Sequence, residues 1–311
     1  YEQRVLGAYA TGAYEVAKWG IKAGMRVENT ILNTFLVNTR ESNRLNFTNL
    51  FPSFHSSYKF SETFSVQAGY SRRIRRPRLW DLNPFFNIRN NFSIRTGNPD
   101  LLPEFTDSYE INSIFAIKKG SFNLGLYHRY TTDVIERVTT FEDDVAFTQP
   151  RNIGTNKTYG IEVNGKYRLT EWFSVRGDAN FLFFYREGSL DAQSFDFEGD
   201  QWTARMTTKF KLPASIDFEL TGNYESAYRT VQGEVAQVPF LDLGLRKKIL
   251  KGKLVTSFSI RDVFASRIQE TEAFQPNFYF FNRRFRGRFI TLGVSYGFGK
   301  GEAMEYSGRR R

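Results

Sequence analysis

The feature that most restricts this chain is a two-residue alternation of apolar and polar side chains, repeated in stretches longer than ordinary strands. Across residues 159–168, Tyr159, Ile161, Val163, Gly165 and Tyr167 alternate with Gly160, Glu162, Asn164, Lys166 and Arg168. This period places one set of side chains on each face of a β-strand and does not fit the 3.6-residue period of a helix. The pattern recurs at 173–185, 202–210, 216–224, 19–28, 64–73, 122–130, 254–260 and 289–298. It is weaker at 6–14, 54–58, 109–117 and 241–245, so the chain holds about thirteen strands.

Composition narrows what those strands enclose. The 311 residues include 32 Phe and 16 Tyr, 17% aromatic in all, at a mean hydropathy of −0.46. That is too much buriable surface for a disordered chain. With no Cys and two His, His55 and His128, there is no disulfide framework, no Cys-ligated metal and little material for a catalytic triad. The longest apolar runs, such as 181–185, are far short of the roughly 18 residues a membrane-spanning helix needs.

Strand length and end composition favour a membrane over a soluble sandwich. The alternating segments run about 9 to 13 residues, where globular strands average about 5 to 6 and membrane-spanning ones need about 9 to 11. Aromatics sit at the strand ends, as with Trp172 and Phe173 opposite Tyr185, and Trp202 opposite Phe210. Arg176, Asp178, Lys166, Arg205 and Lys209 lie mid-strand on the other face, which a wet lumen accepts and a dry core does not. Connections alternate strictly. Short ones lie near 15–18, 60–62, 118–120, 169–171, 213–214 and 251–252; long ones lie near 30–49, 74–107, 131–158, 187–200, 226–238 and 264–285. Tight periplasmic turns alternating with large extracellular loops mark an outer-membrane meander, so the expected fold is all-β, a transmembrane antiparallel up-and-down β-barrel. Thirteen strands would bring two parallel neighbours together at the seam. The expectation is therefore the C-terminal part of a larger barrel, and the start at Tyr1, with no signal-peptide pattern, is read the same way.

Three runs carry a family resemblance. They are Tyr70-Ser71-Arg72-Arg73-Ile74-Arg75-Arg76-Pro77; Leu82-Asn83-Pro84-Phe85; and Gly97-Asn98-Pro99-Asp100-Leu101-Leu102-Pro103-Glu104 with Tyr109-Glu110 after it. Together they resemble the barrel of TonB-dependent outer-membrane receptors, in the branch described as outer membrane protein beta-barrel. Asn152-Ile153-Gly154 leading to Tyr159-Gly160-Ile161-Glu162 is similar to the next signature of that barrel. The resemblance implies a 22-stranded barrel closed by an N-terminal plug, and import of a scarce ligand powered through a TonB box. The ligand could be a siderophore, a glycan or a peptide. Implied partners are outer-membrane lipid and lipopolysaccharide, the chain's own plug, the TonB complex and a surface lipoprotein, with no nucleic acid, no cofactor and no enzyme activity. Residues 1–298 are expected to form barrel and 299–311 a short basic periplasmic tail.

Candidate ligand-binding residues lie where the fourth strand enters its long loop. Arg72, Arg73, Arg75 and Arg76 form a basic run that suits lipopolysaccharide phosphates, the lumen mouth or recruitment of an anionic ligand such as a ferric siderophore. Trp80, Phe85 and Phe86 in the same loop offer stacking surfaces, though packing the loop on itself is the commoner use. A net charge of +10 also raises nucleic-acid binding, which ranks below these readings. Asn83-Pro84 and Asn98-Pro99 force extended or turn backbone and are expected to fix the loop.

Other motifs read as structural. Gly293-Val294-Ser295-Tyr296-Gly297 matches Gly-x-Ser-x-Gly, but it lies in a strand with no helix pattern and no His after it. Glu142, Asp143 and Asp144 lack the spacing of a calcium loop. His128 falls on the apolar face near a strand end, an interfacial position. Two alternatives stay open at this level: a plugless porin or structural barrel, and a soluble β-rich binding module.

Overall fold

The computed structural model describes residues 2–35, 40, 42–84, 87–90, 92–142, 145–190, 193–275 and 278–298. Strands β1 (Glu2–Val16), β2 (Trp19–Phe35), β3 (Ser42–Ser61) and β4 (Phe64–Arg75) come first. A connection follows with the short helix α1 (Leu79–Leu82) and strands β5 (Asn87–Asn90) and β6 (Ser93–Arg95). Next are β7 (Glu104–Ile117), β8 (Gly120–Thr132), β9 (Ile135–Glu142), β10 (Val145–Asn152) and β11 (Gly154–Arg168). Then come β12 (Phe173–Leu190), β13 (Gln193–Leu212), β14 (Ile216–Glu225), β15 (Tyr228–Arg229) and β16 (Gly233–Val235). The chain continues through β17 (Val238–Ile249), β18 (Leu254–Arg261), β19 (Ile268–Gln275), β20 (Phe278–Phe285) and β21 (Phe289–Tyr296).

Thirteen of these strands make one sheet in the order β1-β2-β3-β4-β7-β8-β11-β12-β13-β14-β17-β18-β21, with every neighbour antiparallel and next along the meander. Each of the thirteen alternating segments lies in it. The sheet is not closed: β1 and β21 are its edges. Among the described residues no helix is long and apolar enough to cross a membrane; any crossing is made by strands.

Six tight turns join strands at one end, and several use left-handed backbone, with φ of 51° at Ala17, 60° at Ala214 and 57° at Ser215. The opposite end differs from expectation in two ways. First, β3 and β13 each reach 20 residues, well beyond the roughly 9 to 11 that cross a bilayer. Pairing continues to Asn33↔Arg44 and Ser189↔Ser194, so 30–49 and 187–200 are largely hairpin, not irregular loop. Above the bilayer no lipid selects apolar side chains on the outer face, so the ladder persists after the alternation has stopped.

Second, the remaining long connections fold into two further four-stranded sheets, β5-β6-β10-β9 and β15-β16-β19-β20. The buried cluster of Leu32, Leu82 and Leu101, with Leu45 and Ile135 against it, ties α1 and its loop to β2 and β3. The proposed tail, 299–311, lies outside the described residues.

Candidate functional site at the loop end of the wall

Register separates two faces without ambiguity. Following cross-strand partners from Ala23 through Phe54, Tyr70, Tyr109, His128, Tyr159 and Phe183 keeps one face free of Asp, Glu, Lys and Arg side chains. Two aromatic rows bound it. On the loop side Tyr70, Tyr109, His128 and Tyr159 follow one another at 5.0, 6.0 and 4.5 Å between ring centres, and Trp202 stacks on Tyr224 at 4.3 Å. On the turn side Trp19, Tyr58, Phe60, Phe64 and Phe115 are spaced 4.6 to 5.1 Å, and Phe173 lies 4.8 Å from Phe210. Trp202 and Phe210 are eight residues apart on one strand, about 27 Å along it and about 20 Å across a bilayer at the usual tilt. Between the rows this face of β4, β7, β8 and β11 to β14 holds no charged residue. It meets lipid. His128 sits in the loop-side row, the interfacial place its sequence position suggests.

The other face carries the charges and lines the lumen. Near the turns Lys166, Arg168, Arg176, Arg205 and Lys209 surround a concavity of about 900 Å³ together with Asp178 and Glu219. Lys209 pairs with Asp217 at 3.5 Å.

At the loop end the structure divides the arginine run. Arg72 points to the outer face, where it meets Asp107 at 3.5 Å and lies over the Phe105 ring at 5.5 Å. Arg73 and Arg75 point to the lumen face. Arg75 Nη1 donates to both oxygens of Glu104 at 2.9 and 2.8 Å, and Glu104 Oε1 also accepts the Ile135 N–H at 2.6 Å. Arg76 turns back onto the inner wall: it donates to Glu28 at 2.5 Å and to the buried Thr30 hydroxyl at 3.0 Å. Three of the four arginines are thus ion-paired. Arg73, exposed, donates to the Ser71 hydroxyl at 3.3 Å. Trp80 on α1 is 79% exposed. Phe85 and Phe86 lie outside the described residues.

The Gly-Asn-Pro run explains this arrangement. Gly97 N–H donates to Asn83 O at 2.8 Å and Asn98 N–H to Asp81 O at 2.7 Å, joining both Asn-Pro segments. A Cβ at Gly97 would stand 2.6 Å from the Asn83 backbone N and O, so glycine is required there. Asn98 Oδ1 caps the Asp100 N–H at 3.0 Å. Leu101, 1% exposed, then drops onto Leu32 on the lumen face. The signature folds its loop inward across the mouth.

Sequence reasoning missed a second element. Gln232, from the connection between β15 and β16, accepts the Thr139 N–H at 2.7 Å and donates to the Thr139 carbonyl at 2.8 Å. Glu136 pairs with Arg186 at 2.8 Å, and Phe141 packs on Phe278 at 4.4 Å. Burial pushes the nearby Tyr228 phenol above its usual pKa even though the Arg186 charge opposes the shift. The two loop sheets are therefore clasped together. No periodic signal marks Gln232, which is one polar residue among many in a polar loop.

Ser295 lies within β21, paired with Val255, so the Gly-x-Ser-x-Gly match is a strand. Asp143 and Asp144 lie outside the described residues. Among the described residues no group of three or more His, Asp or Glu is placed to hold a metal.

An antiparallel meander with a lipid face between aromatic rows, a charged lumen face, tight turns at one end and folded loops at the other is the wall of a transmembrane β-barrel. The profile of the outer membrane protein beta-barrel family matches residues 1–296, and the chain belongs to that family, whose place is the Gram-negative outer membrane.

Solved structures share the fold. The FrpB iron transporter from Neisseria meningitidis (F3-3 variant) aligns with TM-score 0.62 at 17% identity over 94% of this chain and 45% of that one. The copper transporter OprC aligns with TM-score 0.65 at 14% identity over 94% and 49%. The ferric yersiniabactin uptake receptor FyuA from Yersinia pestis aligns with TM-score 0.63 at 12% identity over 94% and 45%. The chain spans less than half the length of these structures. No curated protein matches it.

Proposed function

We propose that this chain is the C-terminal wall of a TonB-dependent outer-membrane transporter, which binds a scarce ligand at its extracellular mouth and passes it inward. The observation that carries this reading is the open thirteen-stranded meander with parallel edges β1 and β21. Unpaired strand edges cannot stand in hydrocarbon. An odd number of further strands closes the wall with antiparallel pairs throughout; nine bring it to about 22, the size at which a lumen is wide enough to need a plug. In this reading TonB supplies the energy that opens the plugged lumen. Residues 1–298 serve as barrel.

In this reading Arg73 and Trp80 touch the ligand. Arg75 and Arg76 hold the inward loop in place, and Arg72 faces the lipopolysaccharide headgroups. A cationic, aromatic mouth suits a negatively charged metal chelate, and the solved structures sharing this fold include iron and copper transporters and a ferric yersiniabactin receptor.

The test is uptake of radiolabelled ferric siderophores by cells that express the full-length protein as their sole receptor. Uptake that needs TonB and falls about tenfold in Arg73→Ala and Trp80→Ala supports the assignment. Uptake that persists without TonB, with passive conductance in planar bilayers, overturns it in favour of a porin.

A further inference from the structure

The lipid-facing side of the wall carries a depression on its later strands. Where β13, β14 and β17 lie side by side, Gly222 is flanked by Met206 and Leu241, and Tyr224 by Ala204 and Pro239. A Cβ added at Gly222 would meet nothing within 4 Å, so the surface there falls to bare backbone. Met206, 57% exposed, and Leu241 form the sides of a groove, and Phe264, 70% exposed, overhangs it. It is a shallow trough of about 530 Å³, open along the lipid face.

Phe264 is held in place. The Asp262 carboxylate, 2% exposed, accepts the Ser266 N–H at 2.8 Å and the Arg267 N–H at 3.0 Å, while the Asp262 N–H donates to Asp242 at 2.8 Å. Val263 N–H donates to Leu241 O at 2.7 Å, pinning the turn to the groove's own wall. Asp262 and Ala265 take left-handed backbone, φ 55° and 54°. A turn built this firmly fixes an exposed phenyl ring against the lipid face.

The position selects the occupant. The groove continues the lipid-facing surface, and the stacked pair Trp202 and Tyr224 places its upper end at the loop-side membrane interface. That side is the outer leaflet, whose lipid is lipopolysaccharide. The lining is almost wholly apolar, and the Met206 thioether adapts to a flexible chain. We propose that this groove binds one acyl chain of a lipid A molecule, held beneath Phe264. The proposal depends on the outer-membrane placement and not on the transport reading.

The test uses full-length protein extracted from outer membranes in mild detergent, with native mass spectrometry counting the lipid A that remains bound. Gly222→Phe places a ring in the groove from a Cβ that meets nothing within 4 Å, Phe264→Ala removes its overhang, and Ala68→Phe alters the same face on β4, far from it. Wild type and Ala68→Phe are expected to keep one lipid A. Gly222→Phe and Phe264→Ala are expected to lose it, a roughly tenfold drop in occupied fraction, with heat-modifiable migration and siderophore uptake unchanged. If Gly222→Phe fails to assemble, Phe264→Ala decides by the same readout. Equal lipid A on wild type and Phe264→Ala, no lipid A on wild type, or phospholipid in its place overturns the proposal. A wild type that keeps lipid A but transports nothing counts against the transport reading alone.

Discussion

The Gln232 side chain pairs with both backbone groups of Thr139, 2.7 Å to its N–H and 2.8 Å to its carbonyl, across 93 residues of sequence. A carboxamide thus occupies the place of a neighbouring strand at the edge of β9. Through it and the packing of Phe141 on Phe278 two extracellular sheets are joined, while the salt bridge of Glu136 with Arg186 ties β9 to the wall strand β12. Loops joined in this way can present a fixed surface to a ligand where separate loops would fluctuate.

Gln232→Ala leaves the Thr139 N–H and carbonyl without partners in a buried setting, a cost of about 1–3 kcal/mol. Hydrogen exchange followed by mass spectrometry is expected to show faster exchange in β9 and β16, with β11 to β14 unchanged. Unaltered protection of β9 would mean the clasp carries no load.

Glu104 accepts from Arg75 and from the Ile135 N–H while nearly buried. Glu104→Ala strands both donors and is expected to loosen the loop by about 1–3 kcal/mol. Glu104→Gln keeps an acceptor for Ile135 and loses only the charge, so it is expected to retain most of the protection. Limited proteolysis between β4 and β7 compares them; equal cleavage of both variants contradicts the assignment.

Gly97→Ala forces a methyl group to within 2.6 Å of the Asn83 backbone. The inward loop has to shift, exposing Leu82 and Leu101, at a cost of about 2 kcal/mol. Rapid cleavage of that loop, with the barrel strands still resistant, is the expected pattern. Wild-type resistance would show that the Gly-Asn-Pro run does not set the fold of the loop.

Adjacent residues on β11 test the two faces by stability. Val163 faces lipid midway between the aromatic rows and Glu162 faces the lumen. Val163→Arg is expected to cost about 2–4 kcal/mol in urea unfolding from lipid vesicles, and Glu162→Arg about 1 kcal/mol or less.

The strands were legible because period-two alternation survives wherever lipid lies on one side and water on the other. Residues 202–210 and 216–224 show it and pair as Met206↔Gly222 and Phe210↔Phe218. The hairpin at Ser189 and Ser194 was not legible, because above the bilayer no lipid selects apolar side chains on the outer face. The short strands β15 and β16, two and three residues long, leave no period to detect. The arginine run was visible as charge, but its pairing was not: Arg76 finds Glu28 48 residues away, and only the register of β4 on β7 sets Arg72 opposite Asp107 and Arg75 opposite Glu104. What proximity in sequence grouped as one patch, the pleat separated.

The most direct test of the account is the environment of each side chain along β11. The sequence has no Cys, so single cysteines at 159 to 167 can carry nitroxide labels without background. Power saturation in reconstituted bilayers then compares collision with oxygen, which concentrates in lipid, and with a water-soluble nickel chelate. The account predicts strict alternation: positions 161 and 163 favour oxygen, and positions 162 and 164 favour nickel. Equal accessibility at neighbouring positions, or the opposite phase, would contradict it.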